Sequence, residues 1–206
     1  MRVGWGSGGQ REVKRQEYVF APAHNNMTAI AFLRKTTAMN PKVSIIMGST
    51  SDLPVMEKAC QFFEEMEIPF EVNALSAHRT PAEVSDFARG AAGRGIKVII
   101  AGAGMAAALP GVIAAETPLP VIGVPIKGSC LEGLDATFAI MQMPPGIPVA
   151  TVAINGAQNA AILAMQMLAL GDDALMQKLV AYKLGLKKKI VKANEELAKL
   201  EYKFKC

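Results

Sequence analysis

The sequence predicts a three-layer α/β fold, in which a parallel sheet lies between two layers of helices. Short apolar segments rich in β-branched residues alternate with segments of helical periodicity. Most of the predicted strands are almost continuously apolar, which is typical of parallel strands that are covered on both faces. Right-handed crossovers between such strands give a doubly wound sheet, and we expect flavodoxin-like strand order.

The regular pattern begins at Lys42. The predicted strands span residues 43–47, 70–75, 97–101, 120–124 and about 149–153. The predicted helices span about 53–66, 81–93, 105–115, 131–141 and 157–170, and a helix or helix pair spans 172–202. Ser51 or Asp52 can cap the first helix, and Thr80, Pro81 and Glu83 predict a capping box at the second.

The chain divides into three predicted parts. Residues 1–38 are Gly-rich, basic and without sustained periodicity, so we expect a disordered leader or an upstream extension. No apolar segment typical of a secretory signal precedes Thr28. Residues 39–171 form the predicted α/β domain, and residues 172–206 form a helical extension packed on that domain or on a neighbouring subunit.

Composition excludes several functional classes. Hydrophobic residues make up 51% of the chain and charged residues 19%, a balance that favours a packed core over disorder. No apolar run reaches the roughly 18 residues that a membrane span needs. The three cysteines lie far apart and form no C-x-x-C pair, which argues against a disulfide framework or a zinc site. This pattern predicts a cytoplasmic protein.

The net charge of +4 does not indicate a nucleic-acid partner. Residues 1–38 contain six basic and two acidic residues, whereas the rest of the chain contains 16 of each. The predicted domain and its extension are therefore neutral overall, without the basic excess that nucleic-acid binding requires.

In doubly wound sheets, ligands bind beyond the carboxyl ends of the strands. The first loop there, residues 48–52, opens a helix whose free N–H groups can receive a phosphate, and Gly48 allows close backbone approach. Ser49 and Ser51 offer hydroxyl groups, and Asp52 suits a ribose hydroxyl as an acceptor. The alternative is an ordinary capped helix start. The glycine spacing and lysine of a P-loop are missing.

The second loop, residues 76–80, carries a histidine beside an arginine. His78 is one of only two histidines in the chain, and an imidazole exchanges protons readily near neutral pH. Arg79 offers a planar fork for phosphate or carboxylate. The alternatives are a structural histidine and an arginine that pairs with a helix carboxylate.

The third loop contains Gly102, Ala103 and Gly104, whose small size lets a planar ligand approach the backbone. The N–H groups after Gly104 can receive a carboxylate. Tight helix–sheet packing is the alternative. A dinucleotide fingerprint is not met, because Ala107 occupies the position of its third glycine. In the fourth loop Ser129 and Cys130 have no adjacent base, and we expect Cys130 to be a packed apolar residue.

Several motifs occur in order along the chain: MGSTSD at 47–52, SAHRTP at 76–81, AGAGMAA at 101–107, LPG at 109–111, GVP at 123–125 and QMPPGIPV at 142–149. Together they resemble the class I carboxyaminoimidazole ribonucleotide mutases of bacterial purine synthesis. The resemblance covers roughly residues 41–171, and the leader has no counterpart in that family.

This resemblance implies an isomerase that converts N5-carboxyaminoimidazole ribonucleotide to 4-carboxyaminoimidazole ribonucleotide. It implies a homo-octamer with active sites at subunit junctions, and no metal or organic cofactor. His78 would be the general acid and base. The residues implied to bind the phosphoribosyl part are Ser49, Asp52 and Arg79, with Ser51 as a further substrate-binding candidate. The carboxylate and carbon dioxide pocket would be lined by Ser76 and the backbone of Gly102, Ala103 and Gly104.

Two positions depart from the family pattern. Ala108 stands where a histidine usually precedes Leu-Pro-Gly, and Met105 replaces a more frequent glycine. If that histidine assists proton transfer, activity is impaired; if it only shapes the pocket, activity survives. Two other functions stay open, namely direct carboxylation of aminoimidazole ribonucleotide with carbon dioxide and a non-catalytic flavodoxin-like binding module.

Overall fold

The computed structural model describes residues 40–205, which fold around a parallel sheet of five strands. The strands are β1 (Val43–Met47), β2 (Phe70–Ala74), β3 (Val98–Gly104), β4 (Val121–Ile126) and β5 (Ala150–Thr151). The helices are α1 (Leu53–Met66), α2 (Pro81–Gly90), α3 (Leu109–Glu116), α4 (Leu134–Met141), α5 (Ala157–Ala169) and α6 (Asp173–Ala198). The order β2-β1-β3-β4-β5 is flavodoxin-like, which confirms the predicted fold.

Two apolar clusters cover the two faces of the sheet. Along β1, Ile45 belongs to one cluster and its neighbour Ile46 to the other, because successive strand side chains point to opposite faces. The first cluster includes buried residues of α1 and α5 together with Leu179 of α6. The second includes buried residues of α2, α3 and α4. This arrangement leaves the carboxyl ends of the strands open for the loops that follow them.

The third strand is longer than predicted, because β3 continues through Gly104 instead of ending at residue 101. Gly102 therefore lies inside the sheet, between Met47 of β1 and Val124 of β4. A Cβ atom at this position would come 2.6 Å from the Sδ atom of Met56. The absence of a side chain at Gly102 thus lets α1 pack closely on the sheet, which is the packing alternative to a ligand contact.

The start of α2 also differs from the prediction. Thr80 does not cap the helix with its side chain, so the capping box is wrong. Its hydroxyl instead accepts a hydrogen bond from Ser76 N at 2.9 Å and donates one to Ser76 O at 3.1 Å. The helix ends at Gly90, earlier than predicted, and a short 3₁₀ turn follows over Ala92–Arg94. Thr80 therefore stabilises the preceding loop.

The C-terminal extension is a single helix of 26 residues. Asp172 caps it, accepting hydrogen bonds from the backbone of Ala174 and Leu175. Within residues 40–205, no helix combines the length and apolar character that a membrane crossing requires. The predicted leader at 1–38 lies outside the described residues, and the predicted domain boundary stays a prediction.

Candidate active site

A cleft of about 900 Å³ lies beyond the carboxyl ends of the strands, where the four predicted loops meet. Eight of the nine predicted site residues line this cleft: Ser49, Ser51, Asp52, Ser76, His78, Arg79, Ala103 and Gly104. Gly102 does not line it, because that residue is buried inside β3. The prediction that the backbone of Gly102 lines the ligand pocket is therefore corrected.

The first loop forms a short 3₁₀ turn, Thr50–Asp52, which the Ser49 side chain caps. The Ser49 hydroxyl accepts a hydrogen bond from Ser51 N at 3.3 Å, and the Ser51 hydroxyl donates to Asp52 Oδ1 at 3.4 Å. Asp52 makes no side-chain capping bond to α1, so its carboxylate remains available as an acceptor. Burial raises the pKa of Asp52, and hydrogen bonds from Ser51 and the Ser49 backbone partly offset that rise.

Arg79 ties the second loop to the first. Its Nη2 atom donates to the Gly48 carbonyl oxygen at 3.0 Å, and its Nε atom donates to the Ser76 hydroxyl at 3.3 Å. In the part of the chain from 40 to 205, its guanidinium forms no ion pair, so the helix-carboxylate alternative is wrong for these residues. A guanidinium has five N–H donors. Donors therefore remain for an anionic ligand beside Ser49.

His78 is exposed at the mouth of the cleft. It is the sole histidine among residues 40–205, and within that range its ring makes no hydrogen bond. A ring without a hydrogen-bond partner in the protein can turn toward a bound ligand. The chemical role of His78 therefore stays a prediction, made for a ring that lines the cleft.

The third loop forms a mostly apolar wall. Met105 has a left-handed backbone (φ 53°), and Ala107 N donates to the Met105 carbonyl at 2.9 Å, which folds the chain tightly before α3. Ala108 also lines the cleft and contributes only a methyl group. The wall is thus mostly apolar and offers no titratable group of its own.

The structure adds two polar residues that sequence reasoning did not single out, Lys127 and Asn155. Asn155 has a left-handed backbone (φ 56°), and its side-chain oxygen accepts a hydrogen bond from Lys127 N at 2.9 Å. Its own N–H donates to the Pro125 carbonyl at 2.8 Å. Asn followed by Gly is a turn signal that marked this position. Its contact with the end of β4 could be recognised only from the three-dimensional structure.

The fourth loop corrects one further prediction. Cys130 is exposed and does not line the cleft, so it is not the packed apolar residue we expected. Its neighbour Ser129 is exposed as well. Glu132 and Gly133 follow with left-handed backbones (φ 55° and 90°), which turns the chain away from the sheet before α4. Among residues 40–205, no three His, Cys, Asp or Glu side chains gather as metal ligands.

The model of one protein family, described as AIR carboxylase, matches residues 42–189. The chain belongs to this family. The N5-carboxyaminoimidazole ribonucleotide mutase of Pyrococcus abyssi is 56% identical to it, over 72% of this chain and 85% of that protein. The mutase of Thermotoga maritima is 52% identical, over 79% of this chain and 95% of that protein.

Fungal members of the family are longer. The phosphoribosylaminoimidazole carboxylase of Saccharomyces cerevisiae is 52% identical over 80% of this chain, which covers only 29% of the yeast protein. Among solved structures, the PurE protein of Treponema denticola superposes with a TM-score of 0.69 at 28% identity. That match covers 76% of this chain and 98% of the Treponema chain.

Proposed function

We propose that this chain is an isomerase of purine synthesis, which converts N5-carboxyaminoimidazole ribonucleotide to 4-carboxyaminoimidazole ribonucleotide. The observation that carries the proposal is one cleft shared by His78, the polar first loop and Arg79. Relatives that match this chain over most of their length carry the mutase name, which supports it further. Residues 39–171 would be the catalytic domain.

The cleft offers separate surroundings for the two ends of this substrate. The phosphoribosyl part would lie at the first two loops, where Ser49 and Arg79 bind phosphate and Asp52 accepts from a ribose hydroxyl. Ser51 adds a hydroxyl group there. The carboxyl group would lie near Ser76, Ala103 and Gly104, against the apolar third loop.

His78 would transfer both protons of the reaction. Its imidazolium protonates the carboxylated nitrogen, the N–C bond breaks, and carbon dioxide and aminoimidazole ribonucleotide form. Carbon four of the ring then attacks the retained carbon dioxide, and the neutral imidazole removes the proton from that carbon. This step restores aromaticity and regenerates the imidazolium. Holding carbon dioxide beside the ring raises its effective concentration, which lowers the barrier.

An ultraviolet assay with purified protein tests this proposal. We expect rapid interconversion of the two carboxylated ribonucleotides, and slow turnover of aminoimidazole ribonucleotide with bicarbonate. The carboxylase name of the fungal relatives favours direct carboxylation as the second candidate. Fast turnover from aminoimidazole ribonucleotide and bicarbonate alone would establish that second reaction. Tight binding without turnover of either compound would indicate a binding module.

We also propose a homo-octamer in the cytoplasm. Apolar side chains exposed around α4, namely Leu131, Leu134, Phe138 and Met141, support a subunit contact there. Leu184, Leu186 and Ile190, exposed on α6, support contact of the extension with a neighbouring subunit. Light scattering should give eight times the chain mass of 21.9 kDa.

The cytoplasmic location is supported by the cysteines. Cys60 and Cys130 are free thiols, as in a reducing compartment.

A further inference from the structure

We propose that Lys127 binds the carboxyl group that this enzyme transfers, and that Glu132 holds the Lys127 ammonium when no carboxylate is present. The inference rests on the proposed function and assigns a further substrate-binding residue for it. Lys127 lines the same cleft as His78, and its ammonium forms an ion pair with Glu132.

Lys127 lies against the third loop. Its neighbour Gly128 is so close to that loop that a Cβ atom there would lie 3.4 Å from Met105 Cγ. On the other side, a Cβ atom at Gly104 would lie 3.1 Å from the Ile126 carbonyl oxygen. The residues before and after Lys127 therefore flank the small-residue wall where the carboxyl group would lie.

Among the described residues that line the cleft, the arginine and lysine side chains are those of Arg79 and Lys127. Arg79 donates to the Gly48 carbonyl and to the Ser76 hydroxyl, so it lies at the first two loops, where the phosphoribosyl part would bind. Lys127 belongs to the side of the third loop. The substrate has a phosphate at one end and a carboxylate at the other, so each anionic group meets one cation.

The backbone of Lys127 is fixed, whereas its side chain is free to exchange partners. Lys127 N donates to Asn155 Oδ1 at 2.9 Å, which locks the start of the loop. The side chains of Lys127 and Glu132 are 54% and 67% exposed. An ion pair this exposed is weak and exchanges readily. A flexible lysine stem can follow the carboxylate from nitrogen to carbon four.

This exchange is compatible with the release of carbon dioxide. Before and after the transfer the carboxylate is an anion that can bind the Lys127 ammonium. Carbon dioxide itself is neutral and provides no charge, so Glu132 becomes the better partner at that stage. Glu132 would thus prevent Lys127 from holding the carboxylated forms too tightly.

Calorimetric titration with two ligands tests the inference: aminoimidazole ribonucleotide, which lacks the carboxyl group, and 4-carboxyaminoimidazole ribonucleotide. All titrated chains also carry His78→Asn, so that the ligands are not turned over. We expect Lys127→Met to lower the affinity for the carboxylated ligand about 10-fold, the loss typical of one charge-assisted hydrogen bond. The affinity for the uncarboxylated ligand should change less than about 2-fold. Lys127→Arg should restore most of the affinity for the carboxylated ligand.

A second variant, at Glu132, tests the same contact between Lys127 and the carboxyl group. Glu132→Gln frees the Lys127 ammonium, so the carboxylated ligand should bind about 2- to 3-fold tighter and the uncarboxylated ligand should not change. Equal effects of Lys127→Met on both ligands, or none on either, would overturn the inference. The proposed function itself fails if the otherwise unchanged chain neither binds nor converts the carboxylated ribonucleotides, a result distinct from loss of the Lys127 effect.

Discussion

The two halves of the cleft are built in different ways. The first two loops are joined through polar side chains, because Arg79 donates to the Gly48 carbonyl at 3.0 Å and Thr80 bonds the Ser76 backbone. The third and fourth loops are shaped by small residues and left-handed backbone, as at Met105 and Glu132. One half is a polar frame held by hydrogen bonds, and the other is a mostly apolar wall that also contains Lys127 and Asn155.

This difference matches the two tasks of the proposed reaction. A phosphoribosyl group stays bound throughout and gains from fixed donors. Carbon dioxide is small, neutral and short of hydrogen-bonding capacity, so it is retained by shape and by exclusion of water. His78 belongs to the second loop and lines the same cleft as the third and fourth loops.

The largest expected effect on turnover comes from removing the imidazole of His78. His78→Asn keeps a polar side chain of similar size and removes the imidazole. We expect turnover to fall by about 10³-fold, within the range attributed to general acid and base catalysis. Calorimetric affinity for aminoimidazole ribonucleotide should stay within about 2-fold of the unchanged chain. Near-normal turnover of this variant would rule out the proton-transfer role.

Breaking the polar frame should act on binding. Arg79→Ala removes a charged donor and the bond to the Gly48 carbonyl, so KM should rise about 10- to 100-fold. Arg89→Ala is the matched control, because Arg89 pairs with Glu116 at 2.8 Å on the surface and does not line the cleft. Steady-state kinetics on both variants checks this. A similar rise of KM for Arg89→Ala would show that general surface charge is responsible.

Sequence alone predicted the frame better than the wall. The strands and α1 were predictable because apolar runs and helical periodicity decide them, and β1 and α1 have the predicted bounds. His78 and Arg79 were identifiable because polar residues directly follow a predicted strand. Their meeting with Ser49 follows from the sheet order, which places β1 beside both β2 and β3.

The wall was harder to predict because a glycine at the end of a strand can serve either close packing or a ligand site. Gly102 and Gly104 look alike in sequence, yet the first packs under Met56 inside the sheet and the second lines the cleft. Only the position of α1 distinguishes them. Lys127 and Asn155 come from segments far apart in sequence, and their hydrogen bond depends on long-range contacts that local patterns do not encode.

Gly102→Ala sharpens this distinction by separating packing from ligand contact. The added methyl group would press on Met56, which is fully buried, so the free energy of unfolding should fall by about 1–2 kcal/mol. Gly93→Ala is the control, because nothing lies within 4 Å of a Cβ atom at that position. Urea denaturation measures both. Turnover per folded molecule of the Gly102 variant should stay near normal, and a stable but inactive variant would return Gly102 to the site.

The smallest effect should come from adding an imidazole to the wall. Ala108→His adds an imidazole to the side of the cleft whose described lining residues are small or apolar apart from Lys127 and Asn155. If His78 alone transfers both protons, kcat should change less than about 3-fold. The ultraviolet assay on this variant decides the point, with Ala108→Gln as a control for side-chain size. A large gain in kcat for Ala108→His but not for Ala108→Gln would mean that a second imidazole assists proton transfer, and that the unchanged chain lacks this second group.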